Sequence, residues 1–217
     1  MIKLNTLTHE IIDRAYCIDV EMRQVDTDPA MMGLACGNDF KQVVFDQKLS
    51  AAAKYRNLEV VDLHSYLDDL VSSAKRSGRV LIAYSTHEQE LLCDLLPNRT
   101  DDISSIYCNA NLRKWMKHNF SDQYAEAKKK EKRRLVAAKQ RGPVKMGLKQ
   151  LLKMPVVQYP GVSSAGIGSP AKALQYVRKY PDHLTIGAKR KWSSMLTYNQ
   201  HDVIGMRHLL HFMVDHK

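Results

Sequence analysis

A chain of 217 residues with 44% apolar side chains can bury one sizeable core, and no run in it approaches the ~18–20 apolar residues of a membrane span, which argues against a membrane partner. Four scattered cysteines, Cys17, Cys36, Cys93 and Cys108, contain no C-x-x-C pair and so exclude a disulfide framework or a zinc knuckle. A formal net charge of +10 points instead to polyanionic partners, nucleic acid first and an anionic membrane surface second.

The opening residues, Met1 to Asn5, lack the charged, apolar and small-residue regions of a signal peptide, so a soluble cytoplasmic protein is expected. Residues 6–14 read as a polar lead-in with Thr8 as an N-cap. Ala15 to Met22 reads as a buried strand carrying two acids, Asp19 and Glu21. Pro29 to Gly37 and Lys41 to Asp46 continue it as an antiparallel meander. From Asp62 to Ser77 the period changes. Leu63, Tyr66, Leu67, Leu70, Val71 and Ala74 recur at three and four, which predicts an amphipathic helix stopped at Gly78.

Arg79 to Tyr84 is a further strand, leading through Ser85-Thr86 into a helix over His87 to Leu96. Strand, turn and helix in that order place this strand parallel to the first. A short strand is predicted over Ile103 to Cys108 and a helix over Leu112 to His118. Residues 121–146 read as a basic helical insertion or arm broken at Arg141-Gly142-Pro143, and Gly147 to Leu152 resumes core-like character. Tyr159 to Pro170 is a glycine-, serine- and proline-rich connection without a phosphate-cradling pattern. The last helix is predicted from Arg190 to Phe212, buried along Leu196, Val203, Met206, Leu210 and Met213. The sum is a single α/β domain with a mixed five-stranded sheet and helices on both faces.

Asp19 and Glu21 alternate with apolar neighbours, so both point to one face of their strand. Two carboxylates on one buried face repel each other and resist desolvation unless a cation lies between them. Hard oxygen ligands suit a divalent metal. Two more acids stand in comparable positions: Glu88 opens the helix after the later strand, and Asp202 follows Tyr198 by one turn of the last helix.

These residues, in this order, resemble the ribonuclease H-like DEDD (DnaQ-like) 3′–5′ exonucleases, nearest the YprB-type predicted nuclease branch. The D-x-E motif of that family corresponds to Asp19-Val20-Glu21, the second motif to Ser85-Thr86-His87-Glu88, and the third, Y-N-x-x-D-V, to Tyr198 through Val203. Gly147 to Leu151 is similar to the branch's helix before the third motif, and the likeness spans residues 15–215. His87 and Gln89 flank Glu88 where the family carries an aromatic residue, which keeps Glu90 as the alternative acid. Thr197 stands where a histidine subtype would carry its base, so the chain resembles the tyrosine subtype.

The resemblance implies a ribonuclease H-like fold and 3′–5′ exonucleolytic hydrolysis with two Mg²⁺ or Mn²⁺ ions. Asp19, Glu21, Glu88 and Asp202 would be the metal ligands, and Tyr198 would orient the attacking water. The basic residues Lys128, Lys129, Lys130, Lys132, Arg133, Arg134, Lys189, Arg190 and Lys191 are candidate contacts to DNA or RNA phosphates. A catalytically inactive nucleic-acid-binding module and a structure-specific endonuclease are the alternatives on the same fold.

Overall fold

The computed structural model describes residues 2–22, 29–139, 142–144, 146–161 and 169–217. Thr8 caps α1 (His9–Arg14), its hydroxyl accepting from the Ile11 amide at 3.3 Å. Three strands follow: β1 (Tyr16–Met22), β2 (Pro29–Cys36) and β3 (Asp39–Val44), paired antiparallel in sequence as the alternating pattern predicts. A 3₁₀ turn leads into α2 (Ser50–Tyr55) and the two-residue β4 (Glu59–Val60). The Asp62 carboxylate accepts from the Ser65 amide at 2.8 Å to start α3 (Leu63–Arg76), which ends where Gly78 takes φ +61°.

Next come β5 (Leu81–Ala83) and α4 (His87–Leu95), then α5 (Thr100–Ile106) and β6 (Tyr107–Asn109). α6 (Arg113–Asn119) and α7 (Ser121–Ala137) form a helical pair, followed by α8 (Leu148–Leu152), α9 (Pro170–Val177) and the 30-residue α10 (Ile186–Asp215).

The sheet order is β4-β3-β2-β1-β5-β6, with β1/β5, β5/β6 and β3/β4 parallel. Six strands replace the expected five, because Glu59–Val60 adds a strand too short to show an alternating pattern. The expected strand over Ile103 to Cys108 is shifted. Ile103 to Ile106 close α5, and the strand covers Tyr107–Asn109. Asp101 and Asp102 occupy the first turn of α5, where the helix dipole favours acids, and Asp102 also pairs with Lys75 and, at 3.3 Å, with Arg99. The last helix begins at the Thr185 cap rather than at Arg190, and Pro170 opens α9 instead of closing a loop. Residues 162–168 of the predicted connection and Arg141 of the predicted break lie outside the described residues.

Helices cover both faces. On one, Ile18, Leu34, Val43 and Leu81 pack against Leu67, Val71, Leu92 and Ile103. On the other, Cys17, Ile82 and Cys108 meet Leu151, Met206 and Leu210, while Met31 and Val44 meet Leu174, Trp192 and Met195. The predicted stripe of α10, from Leu196 to Met213, is buried throughout. The foot of α10 is tied to α1 by Arg207 to Asp13 at 2.5 Å and His9 to Asp215 at 2.9 Å. No helix of the described residues is long and apolar enough to cross a membrane.

Candidate active site

The two faces of β1 differ in kind. Ile18 packs within the apolar core on one side, with Tyr16 and Val20 against it, whereas Cys17, Asp19 and Glu21 face α10. Glu21 is 7% exposed, and its Oε1 has no hydrogen-bond partner. Asp19 is half-buried as a residue.

Above Asp19, the helix α10 supplies a fully buried amide. Asn199 Nδ2 donates to Asp19 Oδ2 at 2.8 Å and to the Asp19 carbonyl at 3.1 Å. Its own Oδ1 accepts from Gln42 Nε2 at 2.9 Å, and that same nitrogen donates to the Leu196 carbonyl at 2.9 Å. The chain β3–α10–β1 thus fixes the Asp19 rotamer through a satisfied polar network.

Such an approach of helix to sheet needs room. Gly33 pairs with Asp19 across β1/β2, and a Cβ built there would stand 2.2 Å from Asn199 Oδ1 and 3.1 Å from Val203 Cγ2. Glycine is the residue that lets the two backbones come this close.

Glu88, 7% exposed, sits in the first turn of α4, where Ser85 Oγ donates to its Oε2 at 2.5 Å. It is close enough to Asp19 for the two charges to act on each other, whereas Glu90 is exposed. Of the two candidate acids, Glu88 is the one buried beside Asp19. Asp202, from the middle of α10, faces Asp19 and Glu21, and the Tyr198 hydroxyl is directed at its carboxylate one turn away. The four predicted acids and Tyr198, drawn from β1, the β5–α4 turn and α10, therefore lie within range of one another's charge around Asp19 and Asp202.

Their electrostatics follow from crowding in a poorly solvated space. Burial first, then the neighbouring Asp202 and Glu88, push the Asp19 carboxyl well above the usual carboxylate range. Burial and then Asp19 do the same for Glu21. Burial raises Asp202 to about 6, opposed by Lys149 and the Tyr198 hydroxyl, and raises Glu88 against the Ser85 hydrogen bond. The Tyr198 phenol is also pushed up, by burial first and then by Asp202.

The cation beside them is Lys149 of α8. Its Nζ lies 3.3 Å from the centroid of the Tyr198 ring, and its charge acts on Asp202, Glu21 and Asp19. His201, adjacent to Asp202 in sequence, faces the Tyr159 hydroxyl at 3.4 Å instead.

Among the described residues, no set of three or more His, Cys, Asp or Glu side chains is spaced to hold a metal ion. What suits a divalent cation is the chemistry of the donors, not their spacing here. Four hard carboxylates share a desolvated space with Lys149 as the adjacent cation, and one of their oxygens, Glu21 Oε1, is buried without a partner.

The basic run on α7 divides by helix face. Lys130 and Arg134 line a cavity with Glu126, Glu131 and Lys153, Arg134 bonding Glu131 at 2.7 Å, while Lys128 lines a separate cavity toward α6. Lys129, Lys132 and Arg133 face solvent. At the start of α10, Lys189 and Lys191 lie over the rings of Tyr55 and Tyr176, each 5.1 Å from the centroid, and Arg190 is exposed. Lys191 is eleven residues from Asp202, ~16 Å along the helix, so this second cluster is remote from the acids.

Asn199, Gln42, Gly33 and Lys149 had no assigned role in the sequence. Asn199 carried a signal, since it interrupts the apolar stripe Leu196–Val203–Met206 at a core position. Gly33 interrupts the β2 apolar run in the same way. Gln42 carried none. Comparison of the chain with family models, with curated proteins and with solved structures finds no match.

Proposed function

We propose that this chain is a metal-dependent nuclease of ribonuclease H-like architecture that hydrolyses nucleic-acid phosphodiester bonds from the 3′ end. The observation that carries the reading is the meeting of Asp19, Glu21, Glu88 and Asp202, remote in sequence, beside a tyrosine one turn from the last acid. An apolar interior gains nothing from four carboxylates, and their mutual repulsion is relieved by bound cations.

Asp19, Glu21, Asp202 and Glu88 are the residues that would hold Mg²⁺ or Mn²⁺. Two such ions would supply an acidified water and charge stabilisation on the phosphate. Asn199 holds Asp19 in one rotamer, and Ser85 does the same for Glu88. Tyr198, whose phenol keeps its proton far above neutral pH, orients a water beside Asp202 by hydrogen bonding and does not act as a base. Lys149 lies where an added negative charge would be balanced.

The test is incubation with end-labelled single-stranded DNA and RNA in Mg²⁺, Mn²⁺ or EDTA, beside Asp19→Ala and Asp202→Asn. Laddering from the 3′ end that metal restores and both variants lose is the expected result. Tight, salt-sensitive binding without hydrolysis would identify a binding module and overturn the enzymatic reading. Cleavage of a circular strand would make the enzyme an endonuclease.

A further inference from the structure

Two cavities flank α7, and their charges differ. The one toward α8 mixes Glu126 and Glu131 with Lys130, Arg134 and Lys153. The one toward α6, about 460 Å³, is lined by Arg113, Lys117 and Lys128, with Tyr124, Val144 and Met146 as its apolar wall. Among the described residues it has no acidic lining, and none of its three cations makes an ion pair.

Regular spacing builds it. Arg113 and Lys117 are one turn apart on α6, and Tyr124 and Lys128 are one turn apart on α7, so two helix faces present their cations to one space. All three are exposed, and their shared positive potential favours an anion between them.

Short stretches of chain link the cavity to the residues around the acids. Met146 in its wall is three residues before Lys149, a reach of at most ~11 Å. Arg113 is near enough to act on the buried Tyr84, the residue preceding Ser85, which holds Glu88.

We propose that this α6–α7 cavity is a backbone subsite for a single nucleic-acid strand, Arg113, Lys117 and Lys128 contacting its phosphates while its end lies at the carboxylates. The destination of the strand rests on the nuclease reading above; the binding does not. A pocket of this volume takes a nucleotide or two with a base against the apolar wall.

The test compares wild type with the triple variant Arg113→Gln/Lys117→Gln/Lys128→Gln and a control of equal charge at exposed positions elsewhere, Lys48→Gln/Lys54→Gln/Arg76→Gln. Binding of a fluorescent single-stranded oligonucleotide is titrated against salt in EDTA. Hydrolysis of the p-nitrophenyl ester of thymidine 5′-monophosphate is followed in Mn²⁺.

The cavity variant should bind at least roughly tenfold more weakly, with the slope of log K against log salt shallower by about 2, as expected for three lost phosphate contacts. The control should keep the wild-type slope to within about 1, and its ester hydrolysis should be unchanged. Equal weakening in the two variants, or none in either, overturns the subsite. Strand degradation by wild type in that event leaves the nuclease standing. Binding lost only in the cavity variant, with neither substrate hydrolysed by wild type, keeps the subsite and sinks the nuclease.

Discussion

The two sides of β1 do opposite things to stability. On the side of α3 and α5, Ile18 lies in a dry core with Leu67, Val71 and Ile103, and every atom removed from water there favours folding. On the side of α10, Asp19 and Glu21 are desolvated among Glu88 and Asp202, and folding proceeds against their repulsion. Residues one apart in sequence therefore separate the part of the strand that holds the fold from the part that works against it.

Substitution at adjacent positions tests this division. Asp19→Ala should reduce metal-dependent hydrolysis roughly a thousandfold, the loss of about 4 kcal/mol of charge stabilisation, with little loss of melting temperature. Ile18→Ala should do the reverse, lowering stability by about 2–5 kcal/mol in denaturant titration while the folded fraction keeps its activity. If the two variants behave alike, the faces are not functionally distinct.

Gly33→Ala bridges the two, because its methyl would displace Asn199 and with it Asp19. It should cost about 1–3 kcal/mol of stability, and activity should fall even in the folded protein, measured by pairing unfolding curves with turnover.

On stability, Asp202→Asn should act with the opposite sign to Gly33→Ala. A carboxyl raised from 3.8 to about 6 favours the folded state most below pH 4 and loses that contribution as pH rises through 6. The metal-free variant should therefore be more stable than wild type by about 1–3 kcal/mol at pH 7.5, the difference shrinking toward pH 4. Mn²⁺ should raise the melting temperature of wild type, more weakly below pH 6 where Asp202 retains its proton, and should leave the variant unmoved.

Much of the fold was legible because its periods are clean. The meander, α3, and the stripe from Leu196 to Met213 each follow a spacing that one face of a helix or strand imposes. What was hidden depends on tertiary partners. β4 is two residues long, and Ile103 to Ile106 looks β-branched and strand-like until Asp102 is gripped by Lys75 and Arg99.

The site was legible in its acids and not in its supports. The D-x-E pair and the Tyr198–Asp202 turn show their geometry through local spacing. Gln42, by contrast, is an ordinary polar residue on β3 until α10 lies across the sheet and its amide meets Asn199. Lys149 read only as part of a helix, since nothing local says that its stem crosses the Tyr198 ring.

The bond from Asn199 to Asp19 spans 180 positions of the chain. Closing so long a loop carries a large entropic penalty that local structure cannot offset in advance. A refolding chain can thus acquire its meander and its first helices while the acids of β1 still lack their clamp. Uptake of a spectroscopic lanthanide or Mn²⁺ during refolding would then time the docking of the last helix, separately from the burial of the apolar side of the sheet.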